Sequence, residues 1–122
     1  MRSGQAAYLA EIAQIFSTGD VRLVHEIFAD TYVDHQRPDW IDFDGPAEFI
    51  AIVESARSSL PDLRVQLVAE PIRHQDLEVA ILRWVSRSAD EVVVERDTVE
   101  TLRIENGQVA EHWGVEVRSV AG

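Results

Sequence analysis

A chain of 122 residues is long enough to bury one core and too short for two, so one domain spanning residues 1–122 is expected. Its hydrophobic content of 46% with charges of both signs argues for a folded globule rather than disorder. Against 22 acidic side chains stand 11 basic ones, a formal net charge of -11 with no cluster of arginines, so a nucleic-acid partner is not expected.

Cysteine is absent, which rules out disulfides, a thiol nucleophile and a cysteine-bound metal. No apolar run approaches membrane-spanning length, and Met1 to Gln5 lack the pattern of a signal peptide. The expectation is a cytoplasmic protein with no membrane partner.

Along the chain, Tyr8, Leu9, Ile12, Ile15 and Phe16 recur at helical spacing and stop at Thr18-Gly19-Asp20. Gly19 suits the end of that helix and Asp20 the N-cap of a second. The second carries Leu23, Val24, Ile27 and Phe28 on one face and stops near Asp30. Thr31 to His35 reads as a short extended piece, and Gln36 to Gly45 as an aperiodic loop containing Trp40 and Phe43. Asp44-Gly45-Pro46 opens a third helix, whose stripe is Phe49, Ile50, Val53, Ala56 and Leu60.

From Leu63 the period shifts towards two. Strands are expected near 63–73, 77–87, 91–104 and 108–118, separated by Gln75-Asp76, Ala89-Asp90 and Asn106-Gly107. Helices followed by a meander of long strands define an α+β fold. Asn106-Gly107 is the strongest turn signal, because both central residues of a type I′ turn need positive φ.

A two-residue turn there pairs Glu105 with Gln108. It sets Arg96, Thr98, Glu100 and Leu102 on one face with Val117, Val115, Trp113 and Glu111. Asp97, Val99 and Thr101 fall on the other with Glu116, Gly114 and His112. A bulge at the turn would exchange these faces.

The chain resembles the SnoaL-like polyketide cyclases of the NTF2-like superfamily. The likeness rests on three stretches: Phe28-Ala29-Asp30-Thr31-Tyr32-Val33-Asp34-His35, Ser59-Leu60-Pro61-Asp62-Leu63-Arg64-Val65 and Leu82-Arg83-Trp84. It continues through Leu102 to Trp113, in the expected order. The resemblance implies a cone-shaped α+β barrel, its helices packed on a curved antiparallel sheet around a pocket for a small molecule. It also implies a homodimer formed through the sheet. The family includes cyclases, isomerases, epoxide hydrolases, dehydratases and non-catalytic binders, so the fold alone does not fix the reaction.

Within that frame the more apolar hairpin face should line the pocket, which makes Glu100 beside Trp113 the first choice for a buried carboxylate. Burial raises a carboxyl pKa and suits it to acid or base work. The exchanged faces would instead offer Asp97 and Glu116 near His112 as an acid pair sharing a proton. The resemblance also implies an acid a few residues past Trp113. The position holds Val117, with Glu116 one residue away, so either a bulge turns Glu116 inward or that acid is missing.

Arg83 sits in an apolar strand and needs a carboxylate such as Glu100 or Asp34, unless it polarises a substrate oxygen. Tyr32 and Asp34 alternate with Val33 and His35 on the strand that edges the pocket in this superfamily. Tyr32 is an expected proton donor to oxygen and His35 a proton shuttle, with Asp34 the third polar group of that strand. Trp40, Phe49, Trp84, Trp113 and Val117 are expected walls of the substrate pocket.

Asp34, His35, Asp39 and His112 have no metal-ligand spacing, and there is neither a phosphate loop nor a G-x-S-x-G motif, so no metal and no cofactor are expected. Three functions remain open. The first is a cofactor-independent cyclase or isomerase acting on a polyketide-like apolar molecule by acid/base catalysis. The second is an epoxide-opening cyclase or hydrolase. The third is a non-catalytic small-molecule-binding or dimerisation module.

Overall fold

The computed structural model describes residues 7–88 and 91–121. Helix α1 (Tyr8–Thr18) buries Leu9, Ile12, Ile15 and Phe16, and ends where Gly19 turns left-handed and donates its N–H to the Ile15 carbonyl. At the opposite end of α1 the N-cap residue is Ala7, whose side chain makes no hydrogen bond. Glu78, fully buried on the sheet, accepts the Tyr8 and Leu9 N–H groups at 3.2 and 2.6 Å. A carboxylate from another element thus satisfies amides that a helix start leaves free.

The second helix is shorter than its periodicity predicts. Asp20 folds back on the Arg22 N–H and guanidinium rather than capping a helix, and α2 is a single turn, Val24–Ile27. Leu23 is exposed, and Phe28 opens strand β1 (Phe28–Asp34) instead of extending the helix. Packing overrides helical period here: the Phe28 ring stacks on Phe49 at 4.2 Å and meets Tyr32 edge-on at 4.7 Å.

After β1 an irregular stretch returns the chain to α3 (Pro46–Ser59), with Pro46 in its first turn. Gly45 makes this join possible. Its φ is 87°, its N–H donates to the Tyr32 carbonyl at 2.7 Å, and a Cβ there would stand 2.8 Å from the Asp30 carbonyl oxygen.

The strand expected over 63–73 divides into β2 (Arg64–Leu67) and β3 (Ile72–His74), interrupted before Pro71. Strands β4 (Leu77–Ser88), β5 (Glu91–Glu105) and β6 (Gln108–Ala121) follow. Among the described residues six strands form one sheet in the order β1-β6-β5-β4-β2, with β3 also on β4; β1 and β6 run parallel and the other pairs antiparallel. Asn106 and Gly107 both take positive φ, 53° and 77°, as the expected turn requires.

The inner sheet face carries Glu78, Ala80, Leu82, Trp84 and Ser86 from β4, all buried, with α1 packed on this strand. Phe49 lies in this core, with Phe16 edge-on at 5.5 Å, so its role is packing rather than pocket wall. Each fully buried Leu or Phe of this layer contributes about 1.5–3 kcal/mol through water exclusion. Among the described residues no helix is long and apolar enough to cross a membrane.

Candidate active site

The site is set by two extra residues in β6. Pairing starts as the turn dictates, Glu105 with Gln108 and Ile104 with Val109. Ala110 is then unpaired, and the register moves to Arg103 with Glu111, Leu102 with His112 and Glu100 with Gly114. A second interruption at Val117 follows the Thr98–Glu116 pair, after which Asp97 pairs with Arg118.

The faces therefore differ from those of an unbroken hairpin. Glu100 shares the inner face with His112, and Trp113 points outward, 37% exposed. Asp97 does not meet Glu116, because Thr98 takes that place.

On the other side of β6, the parallel strand β1 sets Asp34 beside His112. His112 Nε2 is 2.5 Å from Glu100 Oε1, and Nδ1 is 3.2 Å from both Asp34 Oδ2 and Tyr32 Oη. The Tyr32 hydroxyl donates to Asp34 Oδ2 at 2.8 Å, and the Gln36 N–H donates to Asp34 Oδ1 at 2.9 Å. With acceptors on both ring nitrogens, the arrangement favours an imidazole that carries two protons.

The electrostatics agree. Burial opposes the charge on His112, but hydrogen bonds to Asp34 and Glu100, with their negative charges, push its pKa up to about 9. Burial likewise opposes ionisation of Asp34, yet the hydrogen bond and charge of His112 hold its carboxyl below the usual value. Tyr32 is held well above the ordinary phenol range by burial and by the charge of Asp34, so it stays a proton donor.

Behind Asp34 stands a group that the sequence did not single out. Glu48, on the first turn of α3, is fully buried; its Oε1 accepts the Asp34 N–H at 2.9 Å and its Oε2 accepts Arg37 Nη1–H at 2.9 Å. Burial raises its pKa against these two donors. Arg37 also donates to the Phe43 carbonyl and to Asp44, tying the 35–45 segment to the site. A Glu three residues beyond a Gly-Pro helix start looks like a solvated first-turn acid, so only the tertiary fold reveals its role.

A cavity of about 230 Å³ opens over this floor, lined by Asp34, Glu100, His112 and Glu116 among its polar groups. Ile12 and Phe16 of α1, Ile52 and Ala56 of α3, and Trp84 form apolar walls; Gln36, Thr98 and Arg96 complete the lining. Gly114 leaves room for the Gln36 amide, which a Cβ there would meet at 2.5 Å. Among the described residues His112 is the hydrogen-bond partner of Glu100, so the second carboxylate oxygen is left to the cavity.

Other residues expected at the pocket lie elsewhere. Arg83 is on the outer sheet face, bidentate to Asp97 at 3.0 and 3.1 Å, and Arg118 binds the same carboxylate. These two arginines hold Asp97 well below the carboxylate range, which suits an ion pair and not a proton carrier. His35 pairs with Glu111 at 2.7 Å and stacks on Trp113, also outside. Trp40 is 60% exposed, Val117 is exposed, and neither borders the cavity. Of the expected walls, Trp84 lines it; of the two positions weighed for a late acid, it is Glu116 that does. Among the described residues no cluster of His, Cys, Asp and Glu has the geometry of a metal centre.

The chain is thus an α+β protein with a polar-floored cavity between the inner face of its sheet and two helices. It belongs to the SnoaL-like polyketide cyclase family, whose model matches residues 6–118. Among curated proteins none matches it in sequence.

Solved structures share the fold. A candidate polyketide cyclase from Bacillus cereus ATCC 10987 superposes with a TM-score of 0.77 at 16% identity, over 89% of this chain and 71% of that one. A candidate isomerase of the SnoaL-like family from Agrobacterium tumefaciens str. C58 gives 0.73 at 19%, over 91% and 95%. AclR, a candidate hydroxylase from Streptomyces galilaeus, gives 0.68 at 18%, over 90% and 86%. At these identities the likeness is one of fold, and the three names span three chemistries.

Proposed function

We propose that this protein is a cofactor-independent cyclase or isomerase that moves a proton on a small molecule held in the cavity, with Glu100, His112 and Asp34 as its acid/base centre. The observation that carries the proposal is a buried imidazole with a carboxylate on each nitrogen, one of those carboxylates opening on the cavity.

In this reading Glu100 touches the substrate. It removes a proton from carbon next to a carbonyl and returns it to the atom that becomes negative, either another carbon or the oxygen of a newly closed ring. The His112 imidazolium stabilises the carboxylate before and after transfer, and Asp34 with Tyr32 fixes the ring's orientation. Protons balance over the cycle without an external donor.

The test is Glu100→Gln. Turnover of a cyclisation or isomerisation substrate should fall by about 100- to 10,000-fold with the fold intact and ligand affinity little changed. Undiminished turnover overturns the assignment. Activity should also decline as pH rises through about 9, where His112 loses its charge.

The outer sheet face supports a second proposal, a homodimer of this chain. Ile81, Trp113, Val115 and Val117 are exposed there beside the Arg83–Asp97–Arg118 network. Sedimentation should give a dimer that Val115→Asp dissociates; a monomer at high concentration overturns it.

A further inference from the structure

Resting on the reading of this cavity as the active site, we infer that its substrate is a compact neutral molecule of one or two rings, and that Trp84 is the wall that enforces this size. The first support is volume. A cavity of about 150 Å³ accommodates benzene, whereas drug-sized ligands occupy about 300–1,000 Å³. At about 230 Å³ the space here lies between them. A four-ring skeleton exceeds it.

The second support is that the limiting wall is held in place. The Trp84 indole N–H donates to Thr98 Oγ1 at 2.8 Å, Phe16 packs edge-on at 4.9 Å, and the Arg96 guanidinium lies over the ring at 5.4 Å. Turning the indole aside to admit a larger ligand breaks all three contacts and strands a buried N–H.

The third support is charge. Asp34, Glu100 and Glu116 face the cavity with two cations, His112 and Arg96. Both cations are engaged: His112 with Asp34 and Glu100, and Arg96 with the indole face and, at 4.0 Å, with Glu116. An anionic substrate would meet an excess of negative charge and no free cation in the lining, so a neutral molecule is preferred over its anion. Its polar group, a hydroxyl or carbonyl, points to the Glu100–His112 floor while its ring packs on Phe16, Ile52 and Trp84.

The test follows the ring protons of His112 by NMR while four neutral hydroxyarenes are titrated: phenol, 2-naphthol, 9-phenanthrol and 1-hydroxypyrene. 2-Naphthol should bind at least tenfold more tightly than 1-hydroxypyrene and than the anion 2-naphthoate. Trp84→Leu should move the preference towards 9-phenanthrol by about tenfold, and Ile52→Ala, on the half-buried side of α3, should move it less. Ile52→Phe should retain phenol and lose 2-naphthol. If 1-hydroxypyrene or 2-naphthoate shifts His112 at concentrations as low as 2-naphthol does, the size or charge rule is overturned and the active-site reading survives. If no probe moves His112, the cavity is not a ligand site and both readings fall.

Discussion

Glu111 and His112 are consecutive in the chain, yet each belongs to a different His–Glu pair on opposite sides of one sheet. Inside, His112 meets Glu100 at 2.5 Å with both side chains less than a tenth exposed. Outside, Glu111 meets His35 at 2.7 Å, with 27% and 41% of those side chains in solvent. The residue types and lengths nearly match. What differs is water. Solvent screens the outer pair, which also shares Glu111 with Arg103 and leans on the Trp113 ring. Inside, Asp34 and protein dipoles rather than solvent answer the imidazole, so its charge is tied to its geometry. What sets the inner pair apart is burial against a cavity, not the presence of an imidazole beside a carboxylate.

The widest separation between the pairs is expected in turnover: against the loss given above for Glu100→Gln, Glu111→Gln should change it less than about twofold. Parity of the two variants would erase the distinction. Stability should separate them next. His112→Ala leaves Asp34 and Glu100 buried without their cation and should cost about 3–5 kcal/mol in urea unfolding, against about 1 kcal/mol or less for His35→Ala.

The pH dependence sharpens the contrast. His112 has a folded pKa near 9, above its ordinary value, so its contribution is complete below about pH 6.5 and disappears as pH rises through 9. That shift corresponds to about 3 kcal/mol, and a His112→Gln protein should show a correspondingly flatter profile between pH 6 and 10. The smallest effect belongs to the outer network: Asp97→Asn should cost about 1 kcal/mol and leave turnover unchanged, and 1 M salt should reproduce much of that loss in the wild type.

Much of the architecture was legible in the sequence. Asn106-Gly107 located the hairpin, Gly19 ended the first helix, and Pro46 opened the long one. The resemblance carried by Phe28 to His35 and by Leu102 to Trp113 led to the family. The site was legible only in part. Alternation correctly grouped Thr98 with Glu100 and Tyr32 with Asp34, since each pair lies on one strand. It failed across β6, where Val109 and Ala110 are both buried and the period of two breaks. That pair of adjacent small apolar residues before His112 was the available signal. Arg83 was read as needing an inner carboxylate because its neighbours are apolar, but Asp97 opposite it on β5 supplies the partner outside. Glu48 left no trace in local pattern, because its importance arises from a backbone amide 14 residues away.

The extra residue at Ala110 has an evolutionary meaning as well. Because Ala110 has no partner on β5, losing its codon would close the bulge while leaving Arg103 opposite Glu111 and Leu102 opposite His112. His112 would stay on the inner face and Trp113 on the outer, whereas a residue lost from a paired stretch before His112 would exchange the two faces. The bulge is thus a place where the length of β6 can change without moving the imidazole.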